Sequence, residues 1–437
     1  MTIQPDAQQL RRRAHALIPG GSHTYSKGDD QFPSNAPPFL VRGWGCRVAD
    51  VEGRQYIEYG MGLRSVTLGH AFEPVIEAVS RAMRNGCNFT RPSTLELQCA
   101  EHLVQLWDEP LMVKFGKNGS DAVTAAIRLA RAYTGRDYVA CCSDQPFFAV
   151  DDWFIGTTPM QAGIPERVRG LTLGFHYNDM ASVERLFAEQ PGQIAALILE
   201  AATWCEPAPG FLDQLQACCR REGTLLILDE MITGFRWHLG GARSSYGLRP
   251  DLATYGKALG NGFAVSALVG RPDIMRLGGL DHSDPRVFLL SYTHGAESTG
   301  LAAAMATIEA YQQLPVIETM YRQGQKLRDG IESITKELGL ERYFVLQGRS
   351  CNLVFAAYGP DGERSQAFRT LFLQEMIQGG ILGPSFVISY AHDDAAIDQT
   401  LDAVRGALVV YQRALTDGVD RYLQGPASKP VFRRYNA

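Results

Sequence analysis

The chain has 437 residues, 45% of them hydrophobic and 20% charged, and its formal net charge is −5 at pH 7. This length and composition are enough for a large buried core in two or three folding units. The mild negative charge and the dispersed Lys and Arg residues exclude a broad basic surface, and the sequence contains no long apolar run and no CxxC pair. We therefore predict a cytoplasmic protein that binds small molecules, without nucleic-acid, membrane or metal partners.

The N-terminal part of the chain combines a helix with short strands. The spacing of polar and apolar residues predicts an amphipathic helix over residues 5–18, which ends at the turn Pro19-Gly20-Gly21. Further short elements are predicted in this part, namely strands over 39–41, 47–50 and 55–59 and helices over 74–85 and 95–107. We assign residues 1–60 to an N-terminal segment that contributes to a small domain.

From residue 111 to residue 281, short apolar strands alternate with helices. This alternation predicts an α/β fold whose mostly parallel sheet is covered on both faces, and we assign residues 61–312 to this large domain. Ligands of such sheets bind beyond the carboxyl ends of the strands, which is where Asp229 lies. The predicted elements are strands over 112–115, 138–142, 195–199 and 225–228 and helices over 121–134 and 211–222.

The last third of the chain predicts a separate small α+β domain, to which we assign residues 313–437. Its longer helices alternate with short strands, and the tail over residues 425–437 is predicted to be extended. The predicted elements are helices over 318–338, 366–379 and 395–415 and strands over 351–356 and 386–390.

One lysine and one aspartate stand out as candidates for chemistry. Lys257 lies between two glycine-bearing turns, and Asp229 ends an apolar strand 28 residues upstream. Pyridoxal phosphate (PLP) requires a lysine that forms a Schiff base with its aldehyde and an acid that keeps its pyridine nitrogen protonated. The pair therefore predicts PLP as cofactor.

A second candidate site lies at the start of the helix over residues 121–134. Gly119 and Ser120 offer backbone N–H groups and a hydroxyl at the positive end of the helix dipole, where a phosphate binds well. An ordinary Ser/Asp N-cap explains the same residues, so the motif supports a phosphate site only in combination with Lys257 and Asp229. A Walker loop is excluded because Ala258 stands where Ser or Thr is required.

Two segments carry a family resemblance. Asp-Glu-Met-Ile-Thr-Gly-Phe-Arg from Asp229, followed by Arg-Pro-Asp-Leu-Ala-Thr-Tyr-Gly-Lys up to Lys257, resembles the signature of class-III (ω) aminotransferases of fold type I. Supporting segments are similar to the glutamate-1-semialdehyde aminomutase subgroup, among them Gly-Ser-Asp-Ala from Gly119, Leu-Gly-His up to His70 and Ser-Tyr-Ala-His up to His392. The resemblance implies a large domain with a seven-stranded type of sheet and a small α+β domain.

The same resemblance implies roles for individual residues. It makes Lys257 the Schiff-base lysine and Asp229 the partner of the pyridinium nitrogen. It implies a homodimer with shared active sites. The other implied cofactor contacts are Gly119 and Ser120 at the phosphate, Phe147 and Met231 on opposite faces of the ring, and Thr293 at the phosphate of the neighbouring subunit. Taken alone, Phe147 and Met231 have the character of core residues.

The chain departs from the aminomutase pattern at positions that the subgroup uses for its substrate. Phe147-Phe148 replaces a Tyr-His pair, and the usual Pro-Val after Glu200 is absent. Lys27 stands where an Arg grips the substrate carboxylate, and it lacks the bidentate fork of that Arg. Arg64 replaces a glycine, with a surface salt bridge as its alternative role. We predict Lys27, Arg64, Phe148 and Glu200 as substrate-binding residues of an altered pocket.

Complete cofactor residues beside an altered pocket predict a PLP-dependent transaminase. We expect it to move an amino group from an amino acid, with glutamate as the expected donor, to a carbonyl acceptor. The cations Lys27 and Arg64 suit a phosphorylated or nucleotide-activated keto sugar. The alternatives are glutamate-1-semialdehyde 2,1-aminomutase and a non-enzymatic PLP-binding regulator.

Overall fold

The structure is a computed structural model that describes residues 6–435. Residue 5, where the first helix was predicted to start, and residues 436–437 of the predicted tail lie outside this range. The strands in chain order are β1 (Leu40–Trp44), β2 (Arg47–Asp50), β3 (Gln55–Glu58), β4 (Met112–Gly116), β5 (Tyr138–Cys142), β6 (Thr172–Phe175), β7 (Ile194–Leu199), β8 (Leu225–Asp229), β9 (Leu252–Tyr255), β10 (Ser266–Gly270), β11 (Phe344–Gln347), β12 (Asn352–Ala357), β13 (Ile381–Leu382) and β14 (Phe386–Val387).

The α-helices vary from single turns to a helix of 24 residues. Within the part of the chain that the structure describes, no helix is both long and apolar enough to cross a membrane. In chain order they are α1 (Ala7–Leu17), α2 (Met61–Arg64), α3 (Glu73–Arg84), α4 (Thr94–Val104), α5 (Gly119–Thr134), α6 (Asp152–Ile155), α7 (Glu166–Arg169), α8 (Met180–Glu189), α9 (Phe211–Glu222), α10 (Ala242–Tyr246), α11 (Pro272–Met275), α12 (Ser298–Gln313), α13 (Val316–Glu337), α14 (Gln366–Gln378) and α15 (Asp394–Asp417).

The chain forms two compact units. The small unit comprises residues 6–72 and 318–433, and the large unit comprises residues 73–317 with residues 434–435. In the small unit, β1, β2 and β3 form an antiparallel sheet that β13 extends by pairing parallel to β3. A second, antiparallel sheet of the small unit has the order β11-β12-β14. The small unit therefore mixes helices with short strands.

The large unit is built on a seven-stranded sheet of order β4-β10-β9-β8-β7-β5-β6. The neighbours from β9 to β6 all pair in parallel, whereas β10 runs antiparallel to both β9 and β4. Every residue of β7 and β8 is buried, as expected for parallel strands covered on both faces. The predicted α/β fold with a mostly parallel sheet is confirmed.

The sheet brings three chain segments to one edge. Asp229 is the last residue of β8 and lies opposite Thr254 of β9 in the parallel register. Lys257 follows β9 by two residues, and α5 begins three residues after β4. Since β4 and β9 both run antiparallel to β10, their carboxyl ends lie at the same edge as that of β8. This edge is where ligands of parallel sheets bind.

Candidate active site

The carboxylate of Asp229 is buried at the end of β8, with 3% of the residue exposed. Its Oδ1 accepts hydrogen bonds from the backbone N–H of Met231 (2.9 Å) and from the hydroxyl of Thr254 (3.1 Å). Burial raises the pKa of Asp229, and the positive charge of Lys257, the Met231 N–H and the Thr254 hydroxyl oppose that rise. Thr254 was not predicted from the sequence, because its role depends on the pairing of β8 with β9.

Lys257 begins a 3₁₀ turn that is separated from β9 by the single residue Gly256. Its backbone has a φ of 46°, a conformation that is uncommon outside glycine and concentrates at functional sites. Its ammonium group lies near enough to Asp229 to shift the pKa of that carboxyl. The structure thus places together the amine and the acid that the sequence predicts 28 residues apart.

The helix α5 begins with a capping box. The backbone N–H of Asp121 donates to the carbonyl oxygen of Asn118 (3.2 Å), and the carboxylate of Asp121 accepts hydrogen bonds from the backbone N–H groups of Asn118 (2.8 Å) and Lys117 (3.1 Å). The N–H groups of Gly119 and Ser120, in the first turn, donate no hydrogen bond within the described part of the chain. They remain available to an anion at the positive end of the helix dipole.

Met231 lies between the start of α5 and the turn that carries Lys257. A Cβ atom placed on Gly119 would meet its Sδ at 3.0 Å, and one placed on Gly256 would meet the same atom at 2.7 Å. Both glycines therefore allow the backbone to approach Met231 more closely than an alanine would. The side chain joins the predicted phosphate site to the predicted Schiff-base lysine.

The loop after β5 carries the two adjacent phenylalanines. Phe147 is 42% exposed and Phe148 is 2% exposed, and each packs edge-on against Phe154 with ring centroids 5.7 and 5.6 Å apart. The loop therefore presents Phe147 at the surface of the large unit and keeps Phe148 inside it. Ser120 holds the same loop, because its hydroxyl oxygen accepts a hydrogen bond from the backbone N–H of Val150 (3.0 Å).

A buried glutamine fixes the other end of this loop. The side chain of Gln145 donates to the backbone carbonyl of Glu200 (2.6 Å) and accepts from its backbone N–H (2.8 Å). Glu200 follows β7 and is itself buried. Gln145 was not predicted from the sequence, because a single amide in a loop gives no pattern.

The remaining predicted residues are Thr293 in the large unit and Lys27 and Arg64 in the small unit. Thr293 lies in an exposed loop of the large unit, where its carbonyl oxygen accepts a hydrogen bond from the side chain of Asn88 (3.0 Å). Lys27 is exposed in the small unit and lines a cavity of about 490 Å³ there.

Arg64 also belongs to the small unit and is held by two polar side chains. Its guanidinium group donates to the side chains of Asn352 (3.1 Å) and Ser385 (3.2 Å). Its backbone has a φ of 71°, in the left-handed region.

A profile of the family "Aminotransferase class-III" matches residues 30–345. The chain belongs to this family. Glutamate-1-semialdehyde 2,1-aminomutase of Laribacter hongkongensis is 33% identical to this chain over 430 residues, which is 92% of this chain and 98% of the relative. The relatives' names support the aminomutase alternative better than the transaminase prediction.

Solved structures share the fold. The PLP internal aldimine form of the FumI protein of Sphingopyxis sp. MTA144 has a TM-score of 0.85 and 27% identity, covering 94% of this chain and 97% of that one. An omega-transaminase from Sphaerobacter thermophilus has a TM-score of 0.83 and 25% identity, covering 93% and 98%. These likenesses confirm the predicted fold type I.

Pyridoxal phosphate is the cofactor of this class-III enzyme, as predicted, and the residues of the large unit fit it. The available N–H groups of Gly119 and Ser120 suit its phosphate, and the buried carboxylate of Asp229 suits its pyridinium nitrogen. The close approach of Gly119 and Gly256 to Met231 brings these groups into one site. We propose these residues, with Lys257 and Phe147, as the cofactor contacts.

Beside Asp229, a second buried carboxylate gives the enzyme a pH dependence of stability. Burial raises the pKa of Glu230 to about 7, although the hydroxyl of Thr233 and the backbone N–H groups of Arg243 and Ala242 donate to it. In the unfolded chain the pKa is about 4.3. The stability that the protonated group contributes is therefore fully present below pH ~4.3 and is lost as pH rises through ~7.

We expect the free energy of unfolding of the wild type, relative to Glu230→Gln, to fall by about 3 kcal/mol between pH 4 and pH 8. Glutamine keeps the size of the side chain and does not titrate, so it supplies the reference. Urea unfolding of both proteins across this range measures the difference. Parallel pH profiles of the two proteins would show that Glu230 has an ordinary pKa.

Proposed function

We propose that this class-III PLP enzyme shifts an amino group between neighbouring carbons of one substrate, as an aminomutase of the glutamate-1-semialdehyde type. The observation that carries the proposal is the 33% identity to a named aminomutase over 92% of the chain. The geometry of Asp229, Lys257, Gly119 and Met231 supports the cofactor chemistry that this reaction requires.

The cofactor, when bound, supplies an aldehyde that binds the substrate amine and a ring that withdraws electrons from the adjacent carbon. The chain's own residues do the rest. Asp229, kept in place by Thr254 and the Met231 N–H, holds a proton on the pyridine nitrogen. The amine of Lys257 moves a proton between the substrate carbon that bears the amino group and the C4′ carbon of the cofactor. Gly119 and Ser120 hold the phosphate and so fix the position of the ring.

The direct test is incubation of the purified enzyme with glutamate-1-semialdehyde and no other amino donor or acceptor. A mutase forms the isomer 5-amino-4-oxopentanoate, in which the amino group has moved from carbon 2 to carbon 1. Mass spectrometry after chemical derivatisation detects this isomer. Its absence, in an enzyme whose cofactor absorbance responds to amino acids, would exclude the aminomutase.

The second candidate is a transaminase that uses the same cofactor residues on two separate substrates. A specific observation favours it, since Lys27 stands where the subgroup's Arg grips the carboxylate, and Phe148 replaces a histidine and is buried. The acceptor then remains a carbonyl compound, with a phosphorylated or nucleotide-activated keto sugar as the narrower prediction. Incubation of the enzyme with glutamate and such a sugar, monitored by the absorbance of the cofactor, tests this second candidate. A non-enzymatic regulator predicts no response to any amine.

Lys27 offers a test of the carboxylate contact that we propose for the substrate. For an aminomutase we expect Lys27→Gln to raise KM for glutamate-1-semialdehyde about tenfold with little change in kcat, because one charged contact to the carboxylate is lost. Lys27→Arg should lower KM, since the guanidinium offers a bidentate fork. Lys336→Gln, an exposed lysine of α13, is the matched control. Equal KM values in all four proteins would exclude a carboxylate contact at Lys27.

The enzyme acts on small molecules, and we propose that it works as a homodimer. Thr293 is exposed in the single chain, and this exposure leaves its hydroxyl available to the phosphate bound by a neighbouring subunit. The mass of the holoenzyme by light scattering tests the dimer.

A further inference from the structure

The hydroxyl of Tyr292 joins two loops of the large unit. It donates a hydrogen bond to Oδ2 of Asp121 (3.0 Å) and accepts one from the backbone N–H of Lys117 (3.2 Å). The same carboxylate oxygen accepts from the N–H groups of Lys117 and Asn118. Tyr292 is therefore the third donor to Oδ2 of Asp121, the oxygen that also binds the backbone immediately before Gly119.

These contacts lie at the start of α5, where the turn contains the proposed phosphate site. Asp121 is the third residue of α5, and its carboxylate fixes the direction in which the chain enters the helix. The N–H groups of Gly119 and Ser120 lie between the capped residue Asn118 and Asp121 in the sequence. A shift of the Asp121 side chain therefore moves the two N–H groups proposed to hold the phosphate.

The loop that carries Tyr292 is itself anchored to the large unit. The guanidinium of Arg128, on α5, donates to the carbonyl of Phe288 (2.9 Å), and the side chain of Asn88 donates to the carbonyl of Thr293 (3.0 Å). At Gly116, the end of β4, an added Cβ atom would lie 2.6 Å from the Tyr292 hydroxyl. The glycine thus gives the hydroxyl the space from which it reaches Asp121.

The hydroxyl stays a donor over the working pH range of a protein. Partial desolvation and the negative charge of Asp121 raise the pKa of Tyr292 well above its ordinary value, so the phenol keeps its proton. A hydrogen bond from a neutral phenol to a carboxylate is stronger than one between two neutral groups.

We propose that Tyr292 is a positioning residue for the cofactor, which holds the Asp121 carboxylate and thereby the phosphate-binding N–H groups of Gly119 and Ser120. This inference rests on the proposed phosphate site. It concerns a residue that is not among the proposed cofactor contacts. Its effect is therefore expected in the affinity for PLP and not in the chemistry of Lys257.

The test compares Tyr292→Phe with Tyr133→Phe in the full-length holoenzyme. Tyr133 is the matched control, because it is as exposed as Tyr292 (41% against 42%) and donates to an aspartate, Asp273 (2.8 Å), that is no part of the phosphate site. We expect Tyr292→Phe to raise the Kd for PLP about fivefold, since a hydrogen bond to a charged group is lost, and Tyr133→Phe to leave it unchanged. Equilibrium dialysis with PLP absorbance measures both.

A second arm places Tyr292→Phe in an Asp121→Asn background. If the hydroxyl acts through the carboxylate, most of its effect on the Kd disappears there. An unchanged effect in this background, a Kd equal to that of the wild type, or a loss of Tm that accounts for the weaker binding would each overturn the role of Tyr292. Failure of the wild type to bind PLP at all would instead overturn the proposed phosphate site.

Discussion

We expect the Lys257→Ala variant to lose the visible absorption of protein-linked PLP and to lose activity by about 10⁴-fold or more. The variant removes both the amine that bonds to the cofactor's aldehyde and the base that moves the substrate proton. The left-handed backbone at this position, with a φ of 46°, indicates that the fold holds the residue in place at some cost. Absorbance spectra of the purified protein with added PLP measure the first effect, and product assays measure the second.

Lys257→Arg and Lys114→Ala serve as controls for this prediction. Arginine keeps the positive charge beside Asp229 but does not form the bond to the aldehyde, so we expect it to be as inactive as alanine. Lys114 is exposed on β4, and its loss should leave the spectrum unchanged. A Lys257→Ala protein that keeps the band would assign the cofactor bond to another lysine.

The sequence predicted the chemistry of the large unit because its central residues follow strong local patterns. Asp229 ends an uninterrupted apolar run, and Lys257 lies between glycine-bearing turns, so both stand out without knowledge of the fold. Thr254 contacts Asp229 only because β9 pairs with β8 in one register. Such a contact follows from the sheet and not from the spacing of residues, and single-sequence patterns do not contain it.

Elements that are buried on all sides were harder to predict. Eleven of the 16 residues of α12 are buried, so the helix lacks the polar face that gives the 3.6-residue period, and the sequence did not predict it. The strands β9 and β10 were also not predicted, since short apolar runs give the same pattern in helices and strands. By contrast, α5 and α9 have clear polar faces, and their predicted bounds lie within two residues of the observed ones.

The predicted substrate residues have less support from the structure than the cofactor residues. Lys27 and Arg64 belong to the small unit, and Phe148 and Glu200 are buried in the large unit. Their prediction depended on differences from a family pattern in loops, where side chains have no periodic constraint. Their roles remain predictions, and the KM values of the Lys27 variants address the first of them.

We expect Asp229→Asn to lower activity by about 10²- to 10³-fold while the fold is retained, because the loss is of one buried charge placed for the reaction. Asparagine has the same shape, and its oxygen still accepts from the Met231 N–H and the Thr254 hydroxyl, which hold the wild-type carboxylate. It does not keep a proton on the pyridine nitrogen, so the ring withdraws electrons less strongly. Steady-state rates of the two proteins at saturating PLP measure the difference.

A cofactor analogue turns this prediction into a test of the role of Asp229. In PLP methylated at the ring nitrogen the positive charge is permanent and needs no acid, so the analogue should restore part of the activity of Asp229→Asn. Thr254→Val is the accompanying variant, since it removes one donor to Oδ1 and keeps the carboxylate. We expect a smaller loss for it, about tenfold, because one hydrogen bond to a charged group is removed. Equal activity of Asp229→Asn with PLP and with its methylated analogue would show that Asp229 acts other than by holding the proton on that nitrogen.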